Sequence, residues 1–153
     1  MRSILVLRSY HHNNTEKIAK VFASVLDAQI RTPQETGPDE LQQYDLIGFG
    51  SGIYDGKHHT DLLALADRMP SAVGKKVFIF STSFDKRIDL IHSSLRERLV
   101  SKGYIIVDEY NCGGFNTNSF LKYFGGLNKG RPNAEDLKRA EGFAQGLKQK
   151  MET

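Results

Sequence analysis

A run of polar side chains directly follows the first apolar stretch of the chain, Ile4 to Leu7. Residues 9 to 15 have the sequence SYHHNNT, which contains no glycine or proline. A turn from a strand into a helix presents backbone N–H groups and the positive end of the helix dipole, and both favour an anion. We therefore expect a phosphate to bind the side chains of this turn. An exposed polar N-cap is the alternative interpretation.

Two later segments carry residues suited to a flat ligand. Four glycines, at positions 48, 50, 52 and 56, surround Tyr54, and glycine lets a backbone lie against a ring or adopt a positive φ. The alternative is that the glycines allow strands to pack closely and that Tyr54 covers the core. Ser81 to Asp85 adds three hydroxyl groups and the aromatic Phe84. Together with the polar turn, these segments predict a site for a phosphate joined to a planar ring.

The sequence departs from two common nucleotide-binding motifs. Residues 48 to 52, GFGSG, do not follow the first strand and lack the third glycine at the spacing of a dinucleotide fingerprint. Lys57 is followed by His58, whereas a P-loop lysine is followed by Ser or Thr. A classical NAD domain and Mg-nucleotide hydrolysis are therefore disfavoured. No arrangement of nucleophile, base and acid is recognisable in the sequence either.

Two histidine pairs, His11-His12 and His58-His59, stand in expected loops. Four imidazoles are possible zinc or copper ligands, but no thiolate or spaced carboxylate accompanies them, and adjacent histidines seldom bind one ion. We therefore predict no metal site. Instead, one imidazole of the first pair is expected to donate a hydrogen bond to the phosphate, which raises its pKa. Ligand affinity should then weaken as the pH rises from about 6 to about 8.

Apolar runs alternate with helical patterns along the chain. The predicted strands lie at residues 4–7, 28–31, 44–49, 77–80 and 104–107, and the predicted helices at 15–26, 60–69, 89–101 and 134–150, with room for a brief helix at 39–43. This alternation is typical of an α/β fold with a doubly wound parallel sheet and helices on both faces. Ligands bind such sheets beyond the carboxyl ends of the strands. The expected functional segments are therefore the loops at 9–15, 50–59, 81–88 and 111–118.

Length and composition indicate a single domain, residues 1–153. Hydrophobic residues make up 39% of the chain, and no segment approaches the ~18 consecutive apolar residues of a membrane span. No secretory signal is recognisable, and the single cysteine, Cys112, can form no internal disulfide, so a cytoplasmic location is expected. The net charge of +3 comes from dispersed lysines and arginines, which argues against nucleic-acid binding as the function.

Four segments, taken in order, carry a family resemblance: SYHHNNTEKIAK, YDLIGFGSGIYDGKHH, KKVFIFSTS and GRPNAEDLKRAEGFAQGL. They extend over essentially the whole chain, which resembles the short-chain flavodoxin family. The resemblance implies a flavodoxin-like, five-stranded parallel sheet in the order 2-1-3-4-5. It also implies an FMN cofactor and electron transfer with redox partner proteins.

The resemblance further implies which residues bind FMN. The phosphate is expected in the first loop, at Ser9, His11, Asn13, Asn14 and Thr15, with His12 as the neighbouring imidazole. One side of the flavin ring is expected against Ser51, Gly52, Ile53, Tyr54 and Gly56, and the other side near Thr82, Ser83 and Phe84. The flexible backbone position beside flavin N5 is either Gly52 or Gly56.

Three departures from the family pattern leave a second interpretation open. The phosphate loop contains His11-His12 where Thr, Ser and Gly are usual, Phe84 is the sole aromatic of its loop, and the net charge is +3 rather than acidic. A less reducing flavin or a different partner would follow. Residues 51–54, SGIY, followed by histidines, also resemble the quinone-linked, flavodoxin-like protoporphyrinogen oxidases. An FMN-dependent oxidoreductase is therefore the alternative function, and a binding module without flavin is a more distant one.

Overall fold

A computed structural model describes residues 1–9, 14–113 and 132–152 of the chain. Its strands are β1 (Ser3–Arg8), β2 (Gln29–Arg31), β3 (Leu46–Tyr54), β4 (Lys57–His58), β5 (Lys76–Thr82) and β6 (Ile105–Cys112). Its α-helices are α1 (Asn14–Leu26), α2 (Thr60–Arg68), α3 (Ile88–Ile91), α4 (Ser93–Ser101) and α5 (Ala134–Glu152). Short 3₁₀ helices at Pro33–Glu35 and Glu40–Gln43 fill the link between β2 and β3.

The main sheet is parallel, with the strand order β2-β1-β3-β5-β6. The two-residue strand β4 lies outside this order and pairs antiparallel with β3. Since β5 and β6 are the fourth and fifth strands predicted from the sequence, the order 2-1-3-4-5 is confirmed. The order reverses between β1 and β3, so a doubly wound sheet of this kind binds ligands beyond the carboxyl ends of those strands.

Each face of the sheet is buried by its own apolar cluster. Alternate residues of a strand point to opposite faces, and in β1 the side chains of Ile4 and Val6 enter one cluster while Leu5 and Leu7 enter the other. The first cluster includes apolar residues of α2 and α4, and the second includes those of α1 and α5. Burial on both faces explains why the strands appear in the sequence as continuous apolar runs.

The N-terminus of α5 is capped by residues that are adjacent to it in the sequence. At the start of α5, the amide of Asp136 donates to Oδ1 of Asn133 at 2.9 Å, and the amide of Asn133 donates to Oδ2 of Asp136 at 2.9 Å. This reciprocal pair satisfies two backbone donors that the first turn leaves without helical partners. α1 begins at Asn14, and Asn13, which precedes it in the sequence, lies outside the described residues. Within the described residues, no helix is both long and apolar enough to cross a membrane.

Three strands extend further than the sequence pattern predicted. β3 continues to Tyr54, β5 to Thr82 and β6 to Cys112, so part of each expected loop is strand. The reason in β3 is tertiary, because β1 and β5 pair with it on both sides through Ser51 and Gly52 respectively. The predicted helix at 89–101 is also interrupted, since His92 separates α3 from α4.

Candidate functional site

The carboxyl ends of four strands bring polar residues together at one edge of the sheet. The strand register places Arg8 of β1 beside Ser51 of β3, and Gly52 of β3 beside Thr82 of β5. Thr82 in turn lies beside Cys112 of β6. Segments that are separated by 30 to 43 residues in the sequence are thus neighbours at this edge, which is the binding edge of a doubly wound sheet.

A buried hydrogen bond joins the first expected loop to the third. The hydroxyl oxygens of Thr15 and Thr82 lie 2.7 Å apart, and either hydroxyl can be the donor. Thr15 is the second residue of α1 and Thr82 is the last residue of β5, and both side chains are buried. The start of α1, with its positive helix dipole, is therefore held directly at the end of β5.

A second hydroxyl at this edge has unused hydrogen-bonding capacity. Ser9 follows β1, and its Oγ is buried without a hydrogen-bond partner among the described residues. Arg8, one residue earlier, forms an ion pair with Asp61 of α2 at 3.2 Å. A buried hydroxyl without a partner costs free energy unless a ligand or water completes it. Ser9 is therefore placed to accept or donate a hydrogen bond to a bound group.

The end of β3 forms a hairpin with β4. Asp55 and Gly56 make its two-residue turn, and both have positive φ, 52° and 76°, as the favoured hairpin turns with Asp-Gly require. The ring of Tyr54 folds back over Gly52, since a Cβ built on Gly52 would lie 3.1 Å from the Tyr54 hydroxyl oxygen. Tyr54 also contacts the His59 ring edge-to-face, with centroids 5.3 Å apart. The hairpin thus presents a small residue covered by an aromatic ring.

Two other residues of this segment have structural partners. Oγ of Ser51 donates to the Gly52 carbonyl oxygen at 2.6 Å and accepts the His59 amide at 3.0 Å. Nδ1 of His59 accepts the Asp61 amide at 2.9 Å and caps α2. Burial lowers the pKa of His59, and the neighbouring Asp61 opposes that shift. The Ser51 hydroxyl, expected from the sequence to contact the ligand, is therefore engaged within the protein.

His58 and His59 are adjacent in the sequence, but their side chains form hydrogen bonds with different residues. Nε2 of His58 lies 2.9 Å from the carbonyl oxygen of Phe80 in β5, so this nitrogen carries the proton and donates. His58 is 1% exposed, and burial, together with the smaller effect of the neighbouring His92, lowers the pKa of His58 to about 3. The hairpin is thus attached to β5 by a neutral imidazole. Within the described residues, no group of three or more metal-ligating side chains occurs.

A chain of hydrogen bonds lies beneath the loop that follows β5. Oγ of Ser81 and Nε2 of His92 are 2.6 Å apart, and Nδ1 of His92 is 2.9 Å from a carboxylate oxygen of Glu109. Arg96 binds both oxygens of the same carboxylate, at 2.9 and 2.7 Å. Burial opposes ionisation of Glu109, but the hydrogen bonds from His92 and Arg96 outweigh it and lower the pKa of Glu109 to about 2.

The same chain continues to the loop itself. Nδ2 of Asn111 in β6 donates to Oγ of Ser81 at 2.8 Å and to Oγ of Ser83 at 2.9 Å. The Ser83 hydroxyl donates to the Asp85 carbonyl oxygen, and the Ser83 amide donates to the Cys112 carbonyl oxygen at 3.0 Å. Next to this fixed serine, the side chain of Phe84 is 49% exposed.

The described structure shows where most of the residues expected at the site lie. Ser9, Thr15, Gly52, Tyr54, Thr82, Ser83 and Phe84 lie at or beside the carboxyl edge of the sheet, Asn14 begins α1, Ile53 pairs with His58, and Gly56 lies in the hairpin turn. His11, His12 and Asn13 lie outside the described residues. Sequence reasoning did not single out His92 or Glu109, and it included Asn111 only as the first residue of the expected loop at 111–118. Glu109 and Asn111 lie two positions apart beyond the predicted end of β6, and that alternation was the available signal.

Comparison with known proteins identifies a relative of nearly the same length. The uncharacterized protein MJ0298 of Methanocaldococcus jannaschii is 46% identical over 148 residues, which cover 96% of this chain and 98% of that protein. No protein-family model matches the chain.

Several solved structures with a similar fold are flavodoxins. Oxidised flavodoxin 2 from Bacillus cereus superposes with a TM-score of 0.70 at 20% identity, covering 98% of this chain and 99% of that one. The flavodoxin of Streptococcus pneumoniae TIGR4 gives 0.71 at 17% identity, with the same coverage. A flavodoxin from the domain Archaea gives 0.67 at 16% identity, with both chains fully covered.

These likenesses agree with the strand order and with the ligand-binding edge described above. The TM-scores of 0.67 to 0.71 to these flavodoxins show a shared fold at identities of 16 to 20%, whereas the 46% identity to MJ0298 shows a shared family. The chain therefore has the flavodoxin-like fold and belongs to the same protein family as MJ0298 of Methanocaldococcus jannaschii.

Proposed function

We propose that this protein binds FMN at the carboxyl edge of its sheet and transfers electrons between redox partner proteins. The observation that carries the proposal is the 2.7 Å hydrogen bond between Thr15 and Thr82. It joins the helix start that suits a phosphate to the loop that suits a planar ring. FMN has these two parts, and it supplies the reversible electron chemistry while the protein supplies binding and orientation.

The phosphate side offers donors and a favourable field. The 13-residue helix α1 directs its first backbone N–H groups and its dipole toward this edge. The buried Oγ of Ser9 has no partner among the described residues and is suited to a phosphate oxygen. The acidic Glu16 in the first turn of α1 is paired with Lys20 at 3.3 Å, which reduces its repulsion of an anion.

The ring side offers two aromatic side chains on separate loops. Tyr54 lies over Gly52 on the β3–β4 hairpin, and the half-exposed Phe84 follows the fixed Ser83. Half-exposed aromatic rings gain free energy when they stack on a planar ligand. Gly52 and Gly56 remain the two candidates for the backbone position beside flavin N5. Gly56 has a positive φ of 76° that serves the hairpin turn, which favours Gly52 for that contact.

The test is an absorption titration of the purified protein with FMN. We expect bound flavin, at one equivalent, with perturbed absorption near ~450 nm, since the protein changes the surroundings of the ring. Thr15→Val should raise the FMN dissociation constant about tenfold, the worth of one or two buried hydrogen bonds. Thr36→Val is the matched control, because the Thr36 hydroxyl is also buried but donates to the Thr32 carbonyl oxygen.

The outcomes separate the proposed function from its alternatives. A protein that retains no flavin at saturating FMN would contradict the proposal and favour a binding module of another kind. Bound flavin that is reduced anaerobically in two separate one-electron steps supports an electron carrier. A single two-electron step with turnover of a quinone would indicate the FMN-dependent oxidoreductase instead. Redox partner proteins and a cytoplasmic location belong to the same proposal.

A further inference from the structure

A hydrogen-bonded chain connects four elements and ends on the ring-side loop of the proposed FMN site. It runs from Glu109 of β6 through His92, between α3 and α4, to Ser81 of β5, and then through Asn111 of β6 to Ser83. Ser83 begins the loop that carries Phe84. The hydrogen bonds that hold Ser83 in place therefore also fix the position of the Phe84 backbone. The hydrogen bonds of this chain do not include the Thr15–Thr82 bond on which the proposed function depends, although Thr82 lies between Ser81 and Ser83 in the sequence.

The direction of the hydrogen bonds follows from the chemistry of the groups. An ionised carboxylate only accepts hydrogen bonds, so Nδ1 of His92 carries a proton and donates to Glu109. In a neutral imidazole Nε2 then accepts, and the Ser81 hydroxyl donates to it. The lone pair of that hydroxyl accepts Nδ2 of Asn111, whose second hydrogen binds Ser83. Every donor in the chain therefore has one defined acceptor.

Serine, histidine and glutamate in this order form the hydrogen-bonding pattern of a nucleophile, its base and an orienting acid. Ser81 and His92 are both 0% exposed, however, and the Ser81 hydroxyl already binds His92 and Asn111. A substrate carbonyl could not approach that hydroxyl without displacing the core. The burial therefore favours a positioning role for these groups rather than hydrolysis.

Because Ser81 and His92 are buried, each hydrogen bond that they form is costly to break. Water cannot replace a partner at Ser81 or His92, so a broken bond leaves a buried polar group unsatisfied. Arg96 neutralises Glu109 through two hydrogen bonds, which allows the carboxylate to be retained beside the buried ring. These bonds place Ser83 against β6, while Oδ1 of Asn111 has no hydrogen-bond partner among the described residues.

We propose that His92 is a positioning residue for residues 82–85, acting through Ser81 and Asn111 on Ser83. The consequence for FMN rests on the proposed function: the loop is preorganised by this chain, so less ordering is required when the cofactor binds. The proposal assigns no proton transfer and no contact with the cofactor to His92. Its ring also lies 4.9 Å from that of His58, which attaches the opposing hairpin to β5.

The first test uses the protein without FMN and measures amide hydrogen exchange. The Ser83 amide donates to the Cys112 carbonyl oxygen, so its protection reports the position of the loop. His92→Leu, which removes both bonds at similar size, should reduce Ser83 protection about tenfold, while His92→Gln, which can still reach Ser81, should restore part of it. Ser93→Ala is the control, because its hydroxyl binds the Leu90 carbonyl oxygen at the same helix junction but outside the chain.

The Ile79 amide in the middle of β5 distinguishes local from global effects. Loss of protection at Ser83 with Ile79 unchanged supports the positioning role. Equal losses at Ser83 and Ile79 would mean that His92 only stabilises the fold, and unchanged protection at Ser83 would mean that the chain does not hold the loop. Either of these results would overturn the proposal.

The second test measures the FMN dissociation constant of the same variants. His92→Leu should raise it about tenfold and His92→Gln by a smaller factor, whereas Ser93→Ala should leave it unchanged. If the wild-type protein binds no FMN, the proposed function fails, yet the exchange experiment still decides whether His92 positions the loop. If FMN binds with equal affinity to all variants, the link between the chain and the cofactor is contradicted.

Discussion

The two halves of β3 use the same residue type for different purposes. In Leu46 to Gly50 the strand is fully buried between β1 and β5, and a Cβ on Gly48 or Gly50 would overlap the ring of Phe78 or Phe80. From Gly52 the strand becomes half-buried and pairs with β4 through Ile53 and Tyr54. The first two glycines make room for a core, whereas Gly52 and Gly56 belong to a partly exposed hairpin.

This difference teaches that glycine spacing alone does not identify a ligand loop. Gly48 and Gly50 leave room for the rings of Phe78 and Phe80. For these two glycines, close packing is therefore the correct one of the two interpretations that the sequence left open. Gly56 is required by a backbone turn with positive φ. Gly52 is the glycine of the four that neither core packing nor a positive φ requires, since a Cβ there would meet only the end of the Tyr54 side chain.

The largest expected effect is that of Gly50→Ala in the buried half. The added methyl group overlaps the Phe80 ring, and overpacking a rigid core costs about 3 kcal/mol of unfolding free energy. Urea denaturation measures this loss, and Phe80→Leu in the same chain should recover part of it by making room. A variant as stable as the wild type would show that the buried half of β3 is not packed too tightly for an added methyl group.

The second effect concerns the attachment of the hairpin through His58. Its pKa is about 3 in the folded protein and about 6.5 when unfolded, so the unfolded state binds the extra proton first. The folded protein should therefore lose about 1.4 kcal/mol of stability for each pH unit below 6.5, and the loss should level off below pH 3. Above about pH 7, His58 is neutral in both states and does not make the stability of the protein depend on pH.

His58→Gln tests this assignment, because the Gln side chain can still donate to the Phe80 carbonyl oxygen but does not titrate. Between pH 6.5 and 5 the variant should lose about 2 kcal/mol less than the wild type. His59, whose pKa is also lowered by burial, should leave a smaller slope of the same sign. Glu109 affects stability only between about pH 4.5 and 2. Equal slopes in both proteins would contradict a buried, neutral His58.

Gly56→Ala should have an intermediate effect, because a residue with a side chain is strained at a φ of 76°. We expect a loss of about 1 kcal/mol, measured by urea denaturation. Gly37→Ala serves as the control, since its Cβ would meet no atom within 4 Å and its φ is not in the left-handed region. Equal stability of the two variants would show that the positive φ of the turn does not require glycine at position 56.

The smallest effect on stability is expected for Gly52→Ala. Its Cβ would meet the flexible end of the Tyr54 side chain at 3.1 Å, so unfolding free energy should change by less than about 0.5 kcal/mol. Under the proposed function, FMN affinity should nevertheless fall several-fold, because the added methyl group occupies space beside the ring. A loss of stability as large as that of Gly50→Ala would place both halves of β3 in the same packing environment.

The sequence predicted the fold better than the boundaries of its strands. Short continuous apolar runs such as Val77 to Phe80 are typical of strands that are buried on both faces of a parallel sheet. The strand ends at Tyr54, Thr82 and Cys112 escaped prediction, because glycine and polar residues interrupt the apolar pattern there and are held in the sheet by neighbouring strands. The buried roles of Ser51 and His58 likewise depend on partners distant in sequence.

The sequence by itself determined the order of elements, the parallel sheet, and the polar character of residues that end its strands, because hydrophobic periodicity and capping residues act locally. Tertiary structure alone decided which glycines make room for Phe78 and Phe80, which histidine became buried, and how His92, Ser81 and Asn111 form one chain. These properties arise from contacts between segments far apart in the sequence, whose distances and burial exist only once the sheet has assembled.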